Sequence, residues 1–245
     1  ISGIGKSFRS HVANSIIKAP KDNIRSVHYN CWEAIYFDHN IDQLKEIASL
    51  ASEIGAERFV LDDGWFKGRN SANSSLGDWE VDKKKYPKGL MPLISHIHSL
   101  EMSFGLWFEP EMVSPDSNLY RQHPEWIMGH KDQALGRDQL VLNISIKDVE
   151  DYLFEKISAL LTEYPIDYIK WDHNRVLPYP DASQTRSLYV LLRRIRLAHP
   201  NLEIESCSSG GGRIDYGILE HTQRVWLSDS NDAIERLRIQ HEAIL

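Results

Sequence analysis

The sequence is poor in cysteine, with only Cys31 and Cys207 among 245 residues. Two cysteines make no disulfide framework, and no CxxC pair offers a metal knuckle. No apolar run reaches the ~18 residues that a membrane span needs. Basic residues do not predominate: 28 Lys and Arg stand against 35 Asp and Glu, a formal charge of −7. That balance argues against a general nucleic-acid binder, whose affinity rests on Lys and Arg at phosphates. Eleven histidines are present, but none in HExxH spacing, and His96 and His98 lie too close along a helix to share a metal. No Gly-rich phosphate loop follows the first β-like run, so a dinucleotide fold lacks its fingerprint. No repeat of fixed period occurs. The start, Ile1-Ser2-Gly3-Ile4, has neither Met nor a basic-then-apolar leader pattern. The expectation is a processed chain or a fragment, and reduced cysteines without a leader suit a cytoplasmic protein.

What the chain does have is an alternation of element types. β-like runs are predicted at 27–32, 58–61, 104–108, 167–171, 202–206 and 224–227, with a further short one at 140–142. Helical periodicity is predicted over 41–54, 90–100, 145–163, 187–198 and 232–245, with Asn40 and Ser145 as N-caps. Residues 1–26 form a lead-in. The alternation implies a parallel sheet with helices outside it. Acids sit at the carboxyl ends of several runs: Asp62 and Asp63, Glu109 and Glu111, Asp172, Asp229. Convergence of acids from many strands suits a (β/α)8 TIM-type barrel better than a doubly wound sheet. Six strands are countable, so the expected fold is such a barrel truncated after its sixth strand and helix.

Asp172 and Asp229 are the pair that glycoside hydrolysis asks for, one carboxylate to attack the anomeric carbon and one to protonate the leaving oxygen. Alternation along the strand aims Lys170 and Asp172 to one side and Trp171 to the other. If the two side chains meet, Lys170 favours ionised Asp172. Asp62-Asp63-Gly64-Trp65 reads either as a plain turn or as a sugar grip, with carboxylates for vicinal hydroxyls and an indole for the ring face. Trp32 and Trp107 read as core or as platforms. Glu109-Pro110-Glu111, with Asp62 or Asp63, also fits a Mg²⁺ site for enolisation. The small-residue loop Ser206-Cys207-Ser208-Ser209-Gly210-Gly211-Gly212-Arg213 permits close backbone approach to a ligand but lacks the Gly-Lys-Ser/Thr ending of a P-loop.

Several segments together resemble the catalytic domain of α-galactosidases of glycoside hydrolase family 36. They are Leu61-Asp62-Asp63-Gly64-Trp65-Phe66, Ser75-Leu76-Gly77-Asp78-Trp79, Gly105-Leu106-Trp107-Phe108-Glu109-Pro110-Glu111, Leu135-Gly136-Arg137, Lys170-Trp171-Asp172 with Asn174-Arg175, Glu205 to Arg213, and Asp232 to Arg236. They follow in family order along almost the whole chain. The resemblance implies a retaining hydrolase of terminal α-linked galactose, as in melibiose and raffinose, with no cofactor and no metal. It makes Asp172 the nucleophile and Asp229 the acid/base. It places Asp62 and Asp63 on galactose hydroxyls, with Trp107, Arg137, Lys170, Trp171, His173, Asn174, Cys207 and Gly210 in the sugar subsite. It also implies flanking β domains and a homo-oligomer in the full-length family, a galactoside as partner, and neither nucleic acid nor membrane. For a retaining mechanism the two carboxyl groups stand ~5–5.5 Å apart, against ~6.5–9.5 Å for inversion.

Two departures are local. His173 stands where the family usually has Met, and Ser230-Asn231 alter the acid/base segment. Related alternatives are an α-N-acetylgalactosaminidase or a raffinose-synthase-like transferase, although the loop at 207–212 favours plain galactose. From another class comes a non-catalytic fragment with residual galactoside binding.

Overall fold

The computed structural model of the chain describes residues 2–17 and 25–244. Residues 18–24 of the predicted lead-in lie outside the described residues. The strands are β1 (His28–Asn30), β2 (Arg58–Leu61), β3 (Ser103–Phe108), β4 (Met112–Val113), β5 (Leu140–Val141), β6 (Tyr168–Trp171), β7 (Glu203–Ser206) and β8 (Arg224–Val225). The α-helices are α1 (Ser2–His11), α2 (Trp32–Ile35), α3 (Ile41–Glu53), α4 (Met91–Ser99), α5 (Asn118–Gln122), α6 (Lys147–Glu163), α7 (Ala182–Ala198), α8 (Tyr216–Leu219) and α9 (Ala233–Ile244).

Six strands form one sheet in the order β1-β2-β3-β6-β7-β8, and every neighbouring pair is parallel. The sheet curls. Arg224 on the last strand reaches the first, donating to Ser26 O at 3.2 Å and lying 2.9 Å from His28 Nε2. The architecture is thus six strands of a TIM-type barrel, as expected. A separate two-stranded antiparallel sheet pairs β4 with β5. It joins the predicted run at 140–142 to a partner in a segment that sequence alone reads as irregular.

Helices pack outside through regularly spaced apolar residues. α3 buries Leu44, Ala48 and Ala51, α6 buries Val149, Leu153, Ile157 and Leu160, and α7 buries Leu188, Leu191, Leu192 and Ile195. Asn40 caps α3 as predicted, its Oδ1 accepting from Asp42 N and Gln43 N. Ser145 is not a cap. Its hydroxyl is taken by Asn143 Oδ1 at 2.5 Å, and α6 begins after Ile146. α7 starts five residues earlier than its apolar pattern suggests, because Asp181 accepts from Ser183 N at 2.7 Å and nucleates the turn beyond Pro180.

The inner face of the sheet carries charge as well as bulk. Arg58 Nη1 lies 2.6 Å from Glu203 Oε2, both side chains being over nine-tenths buried, and 2.9 Å from His28 Nε2. Burial first, then the charges of Arg224 and Arg58, push the His28 imidazole down to about 3, so it is neutral and accepts from an arginine. Gly105 in β3 is a requirement of packing, since a Cβ there would stand 2.5 Å from the Tyr168 ring.

Candidate active site

A cavity of about 460 Å³ runs along the inner face of the sheet and reaches the carboxyl ends of β1, β2, β3, β6 and β8. Asn30 ends β1 and Trp32 follows it, Asp62 and Asp63 follow β2, Trp107 lies in β3 and Glu109 follows it, Lys170 lies in β6 and Asp172 follows it, and Trp226 and Asp229 follow β8. Arg137 enters from the loop before β5, and Asn174 from the loop after β6. Backbone bonds extend the ladder to these positions. Asp172 N donates to Phe108 O at 2.7 Å and Cys207 N to Trp171 O at 2.8 Å. Asp172 therefore hangs from continued sheet rather than from a free loop.

Asp172 is 6% exposed. Its Oδ2 accepts from Trp107 Nε1 at 3.1 Å and Asn174 Nδ2 at 2.6 Å, and its Oδ1 from His173 N at 2.8 Å. Burial alone would raise its carboxyl, but Lys170, Asn174, Cys207 and Trp107 together outweigh that and hold it below the ordinary range. The group is an ionised, well-anchored carboxylate. Lys170 Nζ sits 3.1 Å from Asp62 Oδ2. Burial disfavours its ammonium, but the carboxylates of Asp62 and then Asp172 prevail and keep it charged. The alternation argument thus holds for Lys170 and Asp172, which face the cavity together.

Asp62 Oδ2 also accepts from Asn30 Nδ2, and its Oδ1 from Asp63 N at 2.9 Å. Asp63 is gripped by Arg69 through two bonds of 2.9 and 2.8 Å. A carboxylate offers about four acceptor positions, so both aspartates keep capacity toward the cavity. Asp229 is exposed on the rim and accepts from Trp226 Nε1 at 2.7 Å. Trp226 is itself held between cations, with Lys170 Nζ 5.9 Å and the Arg236 guanidinium 4.5 Å from its ring. Gly210, with φ of +83°, lets the loop after β7 press on the segment of Asp229. A Cβ there would meet Ser228 Cα at 2.8 Å.

Four expected contacts lie elsewhere than on the cavity wall. Trp171 is 1% exposed and points outward, its Nε1 donating to Glu111 Oε1 at 3.0 Å. His173 also points away, with Nδ1 3.2 Å from Glu111 Oε2. Only its backbone N–H serves Asp172. Cys207 is buried beside Asp172, and its thiol helps to hold that carboxyl down. Burial, then the charge of Asp172, push the thiol well up, so it is a donor and not a nucleophile. Gly210 acts through packing, as above. Trp65, weighed as a platform, is core. It is fully buried and donates to Trp107 O at 2.9 Å. Trp107 and Trp32 do line the cavity.

The Glu109–Glu111 pair, considered for a metal, is split by the chain. Glu109 faces the cavity, while Glu111 crosses to Arg213 Nη1 at 2.8 Å. Among the described residues no group of three or more His, Cys, Asp or Glu is placed to hold a metal ion. Sequence reasoning missed Asn30, Arg69 and Trp226 as supports of Asp62, Asp63 and Asp229. Trp226, lying in the predicted sixth run just before Asp229, was findable. Arg69, in a polar loop, carries no such signal.

Comparison with known proteins places this geometry. A family model described as Melibiase matches residues 1–245. An α-galactosidase of Escherichia coli is 47% identical over 249 residues, covering 98% of this chain and 35% of that protein. The α-galactosidase AgaA of Geobacillus stearothermophilus is 44% identical, covering 96% of this chain and 34% of its own length. A solved structure of a glycoside hydrolase family 36 AgaA variant in complex with stachyose superposes with a TM-score of 0.92 at 39% identity. It covers 99% of this chain and 36% of that one. The chain spans about a third of the length of the curated relatives it matches. The match runs through all 245 residues and carries over into three dimensions, and the chain belongs to the Melibiase family.

Proposed function

We propose that these residues form the catalytic barrel segment of a retaining α-galactosidase. The catalytic unit is residues 27–245, with 1–26 leading into it. The substrates are galactosides with terminal α-linked galactose, such as melibiose and raffinose. Two free, buried cysteines suit a reducing, cytoplasmic setting. The observation that carries the reading is Asp172, a buried carboxylate kept ionised and fixed by Lys170, Trp107, Asn174, Cys207 and the His173 amide. Asp229 shares the same cavity.

In the first step an Asp172 oxygen attacks the anomeric carbon. The glycosidic C–O bond breaks, and Asp229 gives its proton to the leaving oxygen. The product is a glycosyl ester of Asp172. In the second step Asp229 takes a proton from water, the water oxygen attacks the anomeric carbon, and Asp172 leaves as carboxylate. Asp229 suits both duties because it sits at the rim, where leaving group and water enter. Asp62 and Asp63 accept from sugar hydroxyls, Trp107 and Trp32 present ring faces to the apolar side of galactose, and Arg137 donates.

The test is the anomeric configuration of the first-formed galactose, followed by proton NMR during hydrolysis of an α-galactoside. Double displacement gives α-galactose first. Initial β-galactose would refute it.

A further inference from the structure

Glu109 is a buried acid to which the two-step chemistry gives no duty. It is 1% exposed and faces the same cavity as Asp172. Its two oxygens hold two different parts of the site. Oε1 accepts from Asn174 N at 2.7 Å, and Asn174 is the residue whose amide binds Asp172 Oδ2. Oε2 lies 3.1 Å from Gln139 Nε2. Gln139 ends the loop that carries Arg137. That loop turns through Arg137 and Asp138, both in the left-handed region with φ of 50° and 60°. Arg175, next to Asn174, holds the loop from the other side by donating to Gln139 O at 2.8 Å and Ala134 O at 2.8 Å.

We propose that Glu109 is a positioning residue that ties the support of the nucleophile to the loop of Arg137, and that it does so as a neutral carboxyl. The inference rests on the reading of Asp172 as nucleophile. The groups facing Glu109 fix its charge state. Asp172 from the end of β6 and Asp63 from the end of β2 are negative, and Arg69 is the cation among them. Burial first, then the charge of Asp172, push the Glu109 carboxyl up to about 8. The Gln139 amide accommodates the proton. Its Oε1 is buried without a partner, and turning the amide over sets that oxygen against Oε2, where it accepts the carboxyl proton. A neutral Glu109 removes a second negative charge from beside Asp172, while both anchors stay in place.

The test uses the intact protein that carries these residues, with Glu109→Ala and Glu109→Gln. Loss of both anchors in Glu109→Ala lets the loop and Asn174 drift, and a misplacement of ~1 Å is enough for roughly a 100-fold loss of kcat/KM. Glu109→Gln keeps an acceptor for Asn174 N and donates to the Gln139 carbonyl, so it recovers at least tenfold of that loss. A Gln variant as impaired as the Ala variant would overturn the proposal. The second arm needs no turnover and reads carboxyl titration by NMR with carbon-13-labelled glutamate. The resonance deleted by Glu109→Gln titrates above the other glutamates, and moves to lower pH in Asp172→Asn. An ordinary titration, or no shift in Asp172→Asn, would overturn it as well. Absence of hydrolysis by the wild type would instead refute the glycosidase reading and leave the titration arm intact.

Discussion

Replacing Lys170 by Met removes one ammonium from a site that uses it twice. It lies 3.1 Å from Asp62 Oδ2, and it is the largest of the influences that hold Asp172 below its ordinary range. Asp62 keeps Asn30 and the Asp63 amide but loses its cation. A hydrogen bond to a charged group contributes roughly 1.5–3 kcal/mol. At about 1.4 kcal/mol per tenfold, kcat/KM should fall roughly 10- to 150-fold at neutral pH. The pH dependence gives the sharper sign. With Lys170 gone, burial is opposed by the hydrogen bonds of Asn174, Cys207, Trp107 and the His173 amide without their strongest ally, so the Asp172 carboxyl rises. The acid limb of kcat/KM follows the free enzyme's essential base and should move to higher pH. The assay is hydrolysis of p-nitrophenyl α-galactoside across the acid range. An acid limb that stays in place or moves to lower pH, or a loss under threefold, would refute the role given to Lys170.

Arg58→Met leaves Glu203 buried with only Arg224, 3.8 Å away. Breaking such a pair costs about 3–5 kcal/mol, which calorimetry should record as a clear fall in Tm. A loss under about 1 kcal/mol would contradict it, and Arg58→Met with Glu203→Met should be milder than the single change. Burial would raise Glu111, but Arg213 and His173 hold it well below its ordinary 4.5. Its contribution to stability is therefore present above that value and lost as pH falls through the lowered one. Glu111→Gln should be less stable than wild type at pH ~7, with the gap closing in acid. A gap independent of pH would exclude the ion pair as its source. Glu109 runs the other way. Its native carboxyl titrates high, so wild type loses stability as pH rises from 4.5 toward about 8. Glu109→Gln should remove that slope in Tm, and an unchanged slope would assign it to another group.

The parallel sheet was legible because each strand is a short apolar run ending in a polar residue, and each helix shows its buried stripe. Lys170 and Asp172 share a face for the simplest reason in a strand, a period of two. The same rule turned Trp171 and His173 outward, although motif resemblance had grouped both with the subsite. Position in a motif says that a residue is near the site, not which side of the backbone it occupies. The start of α7 and the pairing of β4 with β5 were not legible. One depends on a cap beyond the apolar pattern, and the other on two residues meeting two across a long irregular segment. The supports of the site were the least visible. Arg69 and Asn30 meet their aspartates only through the fold, and Glu109 looked like half of a metal pair until the chain sent Glu111 to Arg213.

The central claim is that Asp172 is the nucleophile of an α-galactoside hydrolase. The most direct measurement is turnover of p-nitrophenyl α-galactoside by the intact protein and its Asp172→Ala variant, each with and without added azide. The wild type should hydrolyse the substrate. The variant should lose essentially all activity and regain nitrophenol release with azide, accumulating β-galactosyl azide. A folded variant that keeps more than a few per cent of activity without azide, or yields α-galactosyl azide, would contradict the assignment.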